Sequence, residues 1–182
     1  MADDKHILGL YRNGDKNQAF NLLVREYGER LYWHIRRLVV SHEDADDLLQ
    51  NTYIKIWNSL DTFREDARLF TWLYRIATNE ALTFLHRRQI VGFLSFEGMG
   101  AYFEKKLKQD DFFSGDQLQM ALHKAISKLP PKQKVVFCMR YFEERKYEEL
   151  AEVLDTSVGS LKASYHHAYN KVVEDMKNSM GV

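Results

Sequence analysis

The sequence predicts an all-α fold of two small helical domains joined by a linker, and three observations carry that prediction. Apolar residues recur at steps of three and four through most of the chain, the period of a helix with one buried face, and no strand-rich stretch or internal repeat interrupts them. Residues that cap helix N-termini stand just ahead of these runs, notably Asp15, Ser41 and Ser157. Between residues 92 and 115 the period dissolves. The chain therefore divides into a helical domain over 1–91, a linker over 92–115 and a smaller helical domain over 116–182.

Taken in order, Asp3 to Tyr11 reads as a short helix stopped at the Asn13-Gly14 turn signal. Asp15 then caps a long amphipathic helix whose stripe is Phe20, Leu23, Tyr27, Leu31 and Ile35, with Gly28 as its weak point. Ser41 caps the next helix, and acidic residues gather in its first turn, where the helix dipole favours them. Its core side is Ala45, Leu49, Thr52, Tyr53, Ile56 and Leu60. Its other side is Asp44, Asp47, Gln50, Asn51, Ile54 and Asn58. That acidic face is either simply solvated or a docking surface for a basic partner, with Ile54 as apolar anchor.

After the loop LDTFREDAR, a helix over about 69–88 puts Leu69, Phe70, Leu73, Ile76, Ala77, Ala81 and Phe84 on its core face. Arg75, Asn79, Thr83 and His86 share the opposite face, and Arg87-Arg88 ends it. Such a row suits nucleic-acid bases and backbone, although a terminal basic pair also simply suits the dipole. The linker carries Phe93, Phe96, Phe103, Phe112 and Phe113, an aromatic content that calls for cover by a domain or a partner. Asp116 starts a helix to Lys128, Leu129-Pro130-Pro131 breaks it, and Pro131 opens the next.

The stretch from Arg145 to Lys171 has the outline of a helix-turn-helix. Leu150, Ala151 and Leu154 share one side of its first helix; Leu161, Tyr165, Ala168 and Val172 share one side of its second. Asp155 sits where the chain must turn, and Asp tolerates left-handed backbone angles better than most residues; Ser157 is well placed as N-cap of the second helix. Away from the apolar stripe point Lys162, His166, His167 and Asn170, donors suited to base edges and phosphates in a major groove, with the small Ala163 between them. An ordinary helical hairpin with a solvated polar face is the alternative at this point.

Composition narrows the function. A chain of 182 residues with 45% hydrophobic and 29% charged residues is globular. It shows no membrane-length apolar run and no signal-peptide start, and one cysteine excludes an internal disulfide, so a reducing cytoplasm is expected. Cys138, inside VVFCMRYF, reads as packed rather than reactive. Lys and Arg number 26, as do Asp and Glu, for a net charge of zero. Proteins that bind DNA alone need a basic excess to neutralise phosphate. A neutral reader of DNA is therefore expected to work as a subunit, with a partner supplying the attraction.

These stretches resemble the extracytoplasmic-function (ECF) group of bacterial sigma factors, in the sigma-70 family. AFNLLVREYGERLY, DADDLLQNTYIKIW and LDTFREDARLFTWLYRIATN are similar to the family's region two. The run from ALHKAISKLPPKQKVVFC to SYHHAYNKV is similar to its region four. The resemblance implies a transcription initiation factor that binds core RNA polymerase and promoter DNA, with no catalysis and no cofactor or metal of its own. It assigns Asp44, Asp47, Leu48, Gln50, Asn51 and Ile54 to the clamp helices of the polymerase β′ subunit, and region four to the β flap. It assigns Phe63, Arg64, Glu65, Asp66, Ala67 and Arg68, with Arg75, Asn79, Thr83, Arg87 and Arg88, to the −10 element, where an unstacked base is captured. Ser157, Ser160, Lys162, Ala163, His166 and His167 fall to the −35 element. The linker would run toward the RNA exit path, and an anti-sigma factor would hold the free protein off DNA.

The chain departs from the family where Ser164 and His167 replace common arginines and Asn51 replaces a common glutamate. Fewer arginines mean fewer bidentate guanine contacts. A stand-alone helix-turn-helix regulator is the rival reading. It needs a dimer surface and a basic balance, and it leaves the acidic helix unused. An enzyme finds no support, because no HExxH, paired-cysteine or glycine-rich phosphate motif is present.

Overall fold

The computed structural model describes residues 4–63, 68–94, 98–109 and 116–181, except for the side chains of residues 91–94, 98–101, 103, 104 and 180. Within these residues there are nine α-helices and no strand: α1 (Asp4–Arg12), α2 (Lys16–Val39), α3 (His42–Ser59), α4 (Leu69–Leu94), α5 (Gly98–Gln109), α6 (Gln117–Ser127), α7 (Pro131–Tyr141), α8 (Tyr147–Leu154) and α9 (Val158–Met180). One short 3₁₀ turn, Leu60–Thr62, follows α3. The all-α expectation is met.

Each expected cap does its work. Asp15 accepts from the Gln18 N–H, Ser41 from Asp44, Asp116 from Leu118 and Ser157 from Ser160. Pro131 occupies the first turn of α7, where its missing N–H costs nothing. Asp155 takes left-handed angles, φ 49° and ψ 55°, and its N–H closes α8 on the Ala151 carbonyl.

The first lobe is α1 to α4, with α2 against α1, α3 and α4. Leu23, Leu31, Ile35, Ala45, Ile56, Leu73, Ala77 and Ala81 are fully enclosed there. Gly28 is buried because α3 crosses at that point: a Cβ there would stand 2.6 Å from the Tyr53 hydroxyl. The second lobe wraps α6, α7 and α8 around α9, enclosing Val135, Phe137, Met139, Leu150, Leu161 and Ala168. Cys138 is buried, as expected.

The structure differs from the sequence reading in three places. Helix α4 continues to Leu94, and part of the interval read as a linker is the helix α5. Tyr102, Lys106 and Leu107 fix α5 on the first lobe and on α6. The Tyr102 hydroxyl donates to Asp44 Oδ2, Lys106 Nζ lies 2.9 Å from Glu43 Oε2, and Leu107 is buried. The linker phenylalanines Phe93, Phe96, Phe103, Phe112 and Phe113 have side chains outside the described residues. Helix α4 is also buried over a wider arc than its stripe, Thr71, Tyr74 and Thr78 included, because α7 and α8 pack on its second side.

Candidate polymerase and nucleic-acid interfaces

The acidic side of α3 is solvent-facing along most of its length. Asp47, Gln50, Asn51 and Asn58 are exposed, and Ile54 is 58% exposed among them. An isoleucine that open on a charged helix marks a candidate contact surface. Two of the expected docking residues stand apart from this face. Leu48 is only 7% exposed and belongs to the core. Asp44 is bound by the Tyr102 hydroxyl and lies 3.5 Å from Arg88. Burial first, and then the Asp44 carboxylate, push the Tyr102 phenol up to about 12, so it stays a hydrogen-bond donor. The Lys106 ammonium likewise holds the Glu43 carboxyl below its usual range.

The α4 row splits. Arg75, Asn79, Thr83, His86 and Arg87 are exposed, and the Thr83 hydroxyl is turned back onto the Asn79 carbonyl. Arg88 instead stacks on Tyr102 at 4.3 Å and on Phe84 at 5.1 Å, so its guanidinium helps to hold α5. In the preceding loop, Phe63 packs on Trp72, with ring centroids 5.1 Å apart, and Arg68 is exposed. Arg64, Glu65, Asp66 and Ala67 lie outside the described residues.

The second helix of the helix-turn-helix presents the expected face. Lys162, Ala163, His166 and His167 are exposed, as are Ser157 and Ser160 at its start, while Leu161, Ala168 and Val172 are buried behind them. His166 Nε2 lies 3.1 Å from the Asn170 amide one turn on, which steadies the ring. Lys162 lies over the Tyr147 ring at 5.8 Å.

Sequence reasoning missed the seam between the lobes. His34 of α2, fully buried, places Nδ1 2.8 Å from Glu143 Oε1 and Nε2 2.9 Å from the Thr78 hydroxyl. Burial pushes the Glu143 carboxyl up, but His34, Arg145 and Arg37 outweigh it and leave the carboxyl below its ordinary value. Arg145 lies over the Phe70 ring at 4.3 Å, and Arg37 over Phe142 at 5.3 Å. The Thr71 hydroxyl donates to Glu152 Oε2 at 2.9 Å, and the Arg75 guanidinium donates to the Glu152 carbonyl. Beside these contacts a cleft of about 540 Å³ brings Arg75, Asn79 and Leu82 of α4 opposite Lys132, Asp155, Ser160 and Ser164. No local signal marks such a seam, since a buried histidine in an amphipathic helix looks like any core position.

A helix-turn-helix lobe beside a helical lobe with an exposed acidic helix is the arrangement expected of a DNA-reading subunit. Comparison with known proteins makes that specific. Residues 23–90 match the family model "Sigma-70 region 2" and residues 119–172 match "Sigma-70, region 4". The RNA polymerase sigma-H factor of Pseudomonas aeruginosa is 31% identical over 177 residues, covering 92% of this chain and 91% of that protein. The ECF RNA polymerase sigma-E factor of Escherichia coli strain K12 is 30% identical over 174 residues, covering 91% and 90%. Two solved structures share the fold. CnrH in complex with the cytosolic domain of CnrY has a TM-score of 0.67 at 24% identity, covering 94% of this chain and 96% of that one. The sigma factor RpoE of Bartonella quintana, with the anti-sigma factor NepR, has a TM-score of 0.63 at 21% identity, covering 87% and 96%.

The chain belongs to the sigma-70 family, ECF group: it is a sigma factor that directs RNA polymerase to promoters and is not an enzyme. Among the described residues no helix is long and apolar enough to cross a membrane.

Proposed function

We infer that α3 is the surface on which this chain docks on core polymerase, with Ile54 as anchor and Asp47, Gln50 and Asn51 around it. The single observation that carries this is the 58% exposure of Ile54 inside an acidic, otherwise polar face. Basic residues on a coiled partner such as the β′ clamp helices complement that charge, and an apolar pocket would take the isoleucine. Asp44 and Leu48 act from behind, by holding α5 and the core. The domain bounds 1–91 and 116–182 belong to the same reading, and the β flap is the complementary site for the second lobe.

The −10 element is read by the loop from Phe63 to Arg68 and by Arg75, Asn79 and Thr83, with Arg87 on backbone phosphate. The −35 element is read by Lys162, His166 and His167, with Ser157 and Ser160 at the helix N-terminus and Ala163 making room. Arg75, Asn79 and Thr83 in the first set and Lys162, His166 and His167 in the second are exposed polar groups on helices, which supports the reading. The zero net charge supports a reader that needs polymerase for affinity. The site of action is then the cytoplasm, where the polymerase is. An anti-sigma factor is a fitting regulator, by analogy with the two complexes above.

The test is binding to purified core RNA polymerase by wild type and by an Asp47→Arg/Ile54→Glu variant. Tight binding by wild type and loss of at least about a hundredfold in the variant are expected, since a charge reversal and a lost hot spot each cost about 2 kcal/mol or more. Equal binding by both would remove α3 from the interface. Retardation of duplex DNA by wild type alone, without polymerase binding, would restore the stand-alone regulator.

A further inference from the structure

We propose that Arg30, on α2 and outside the residues assigned to the −10 element, grips a phosphate of the melted −10 strand together with Arg68, beside the captured base. The inference rests on the assignment of the loop from Phe63 to Arg68 to that element.

The two arginines share a cleft of about 420 Å³, where Tyr27 and Arg30 of α2 meet Arg68 and Phe70 at the start of α4. Both are exposed. The Arg30 guanidinium lies over the Tyr27 ring at 5.2 Å and over the Phe70 ring at 5.8 Å, so among the described residues it rests on rings and not on a carboxylate. A guanidinium laid on a ring spends its face on that contact. The N–H donors along its edge stay free, in the fork that matches two phosphate oxygens. Two rings also fix the side chain in advance, so less rotamer freedom is lost when an anion arrives.

The carboxylates of the cleft are each engaged elsewhere. Asp4 accepts from the Tyr27 hydroxyl at 2.6 Å, Glu26 lies 3.5 Å from Arg25, and Glu149 accepts from the Lys146 N–H at 3.1 Å. Burial first, and then Asp4, raise the Tyr27 phenol above its ordinary value, so it stays the donor in its pair.

Place decides which anion. The loop that captures the base ends in this cleft at Arg68, two residues before Phe70. A base held in that loop brings its own flanking phosphates to the loop's end. The chain as a whole has no net charge, so its phosphate contacts have to come from cations placed locally. Cations beside aromatic rings are also how single-stranded nucleic acid is held elsewhere.

The test uses the holoenzyme and promoter fragments that wild type transcribes, with the −10 segment mismatched so that it is already melted. Affinity is followed against salt for wild type, Arg30→Gln, Arg30→Lys and Asn79→Ala. Arg30→Gln is expected to bind at least about fivefold more weakly at low salt. Its slope of log affinity against log salt should be shallower by about 0.7, the share of one single-strand phosphate. Arg30→Lys keeps the charge and should keep the slope. A scan of neutral methylphosphonate linkages along the melted strand then places the contact: one linkage should weaken wild type and leave Arg30→Gln unaffected. An unchanged slope in Arg30→Gln would overturn the proposal even if binding weakened, because a merely structural role removes no counterion. Equal sensitivity of both proteins to every linkage would overturn it too. Asn79→Ala is expected to weaken binding as well. If it and Arg30→Gln were both without effect, the −10 assignment itself would fall, whereas a loss confined to Asn79→Ala would remove Arg30 alone.

Discussion

The inside of each lobe and the seam between the lobes are built from different chemistry. Within the first lobe, Leu23, Leu31, Ile35 and Leu73 meet with no exposed surface and no charge among them. Across the seam, the polar contacts of His34, Glu143, Arg145, Thr71, Glu152 and Arg37 stand beside apolar Leu82, Val135, Val136 and Val153. Apolar burial contributes about 25 cal/mol for each Å² removed from water and is lost entirely when the lobe opens. Polar groups exchange protein partners for water at little net cost. The interior of each lobe is thus held by apolar burial, while the seam adds a larger share of polar contacts.

Breaking the core should have the largest effect. Leu31→Ala removes a fully enclosed side chain from the middle of α2 and should cost about 2–5 kcal/mol of stability, read from urea midpoints. Breaking the seam should show a different signature. Glu143→Leu leaves His34 and Arg145 without their carboxylate and should cost about 3 kcal/mol or open the seam, whichever is cheaper. Adding His34→Leu should bring stability back to within about 1 kcal/mol of wild type, because an apolar pair fills the same space. A double variant as unstable as the sum of the two singles would mean that the two side chains are not energetically coupled.

Acid should sharpen the same contrast. Burial first, and then the Arg36 and Arg37 guanidiniums, lower His123 from its ordinary 6.5 to about 4. It stacks flat against Phe142 in the second lobe, with ring centroids 5.6 Å apart, and feels the charges of α2 in the first. The folded value lies below the unfolded one, so the unfolded chain binds the extra proton. Stability is complete above pH 6.5 and falls as pH drops toward 4, by at most about 3 kcal/mol. His123→Leu should flatten that part of the pH–stability curve. An unchanged slope in the variant would place the proton elsewhere.

The sequence revealed most where the physics is local. The turn at Asp155 and the caps at Asp15, Ser41, Asp116 and Ser157 depend on a few neighbouring residues, and all are found where the side chains foretold. Gly28 was legible only as a weakness; its reason, the Tyr53 hydroxyl, comes from another helix. Helix α5 went unread because Gly98 and Gly100 break its pattern and its anchors, Asp44 and Glu43, are more than fifty residues away. Leu48 was grouped with the docking face through the family resemblance, yet it is buried. The seam was invisible for the same reason as α5, since period shows that a face is apolar and not what packs on it.

The smallest effect falls at the helix-turn-helix, where stability and reading separate most cleanly. Ser157 Oγ accepts from the Ser160 N–H at 3.2 Å and so satisfies one of the free donors that begin α9. Ser157→Ala should cost about 1 kcal/mol of second-lobe stability. The same hydroxyl is exposed at the end of the helix assigned to the −35 element, where a phosphate would compete for that N–H. A pure cap predicts an affinity loss that disappears once the variant is assayed well below its melting point. A phosphate-positioning role predicts a loss that remains there and shrinks as salt rises. Ser157→Asp separates the two fully: it keeps the cap and favours the helix dipole, but repels phosphate. Retained stability with weakened promoter binding in Ser157→Asp would place the hydroxyl on DNA, and unchanged binding would leave it a cap alone.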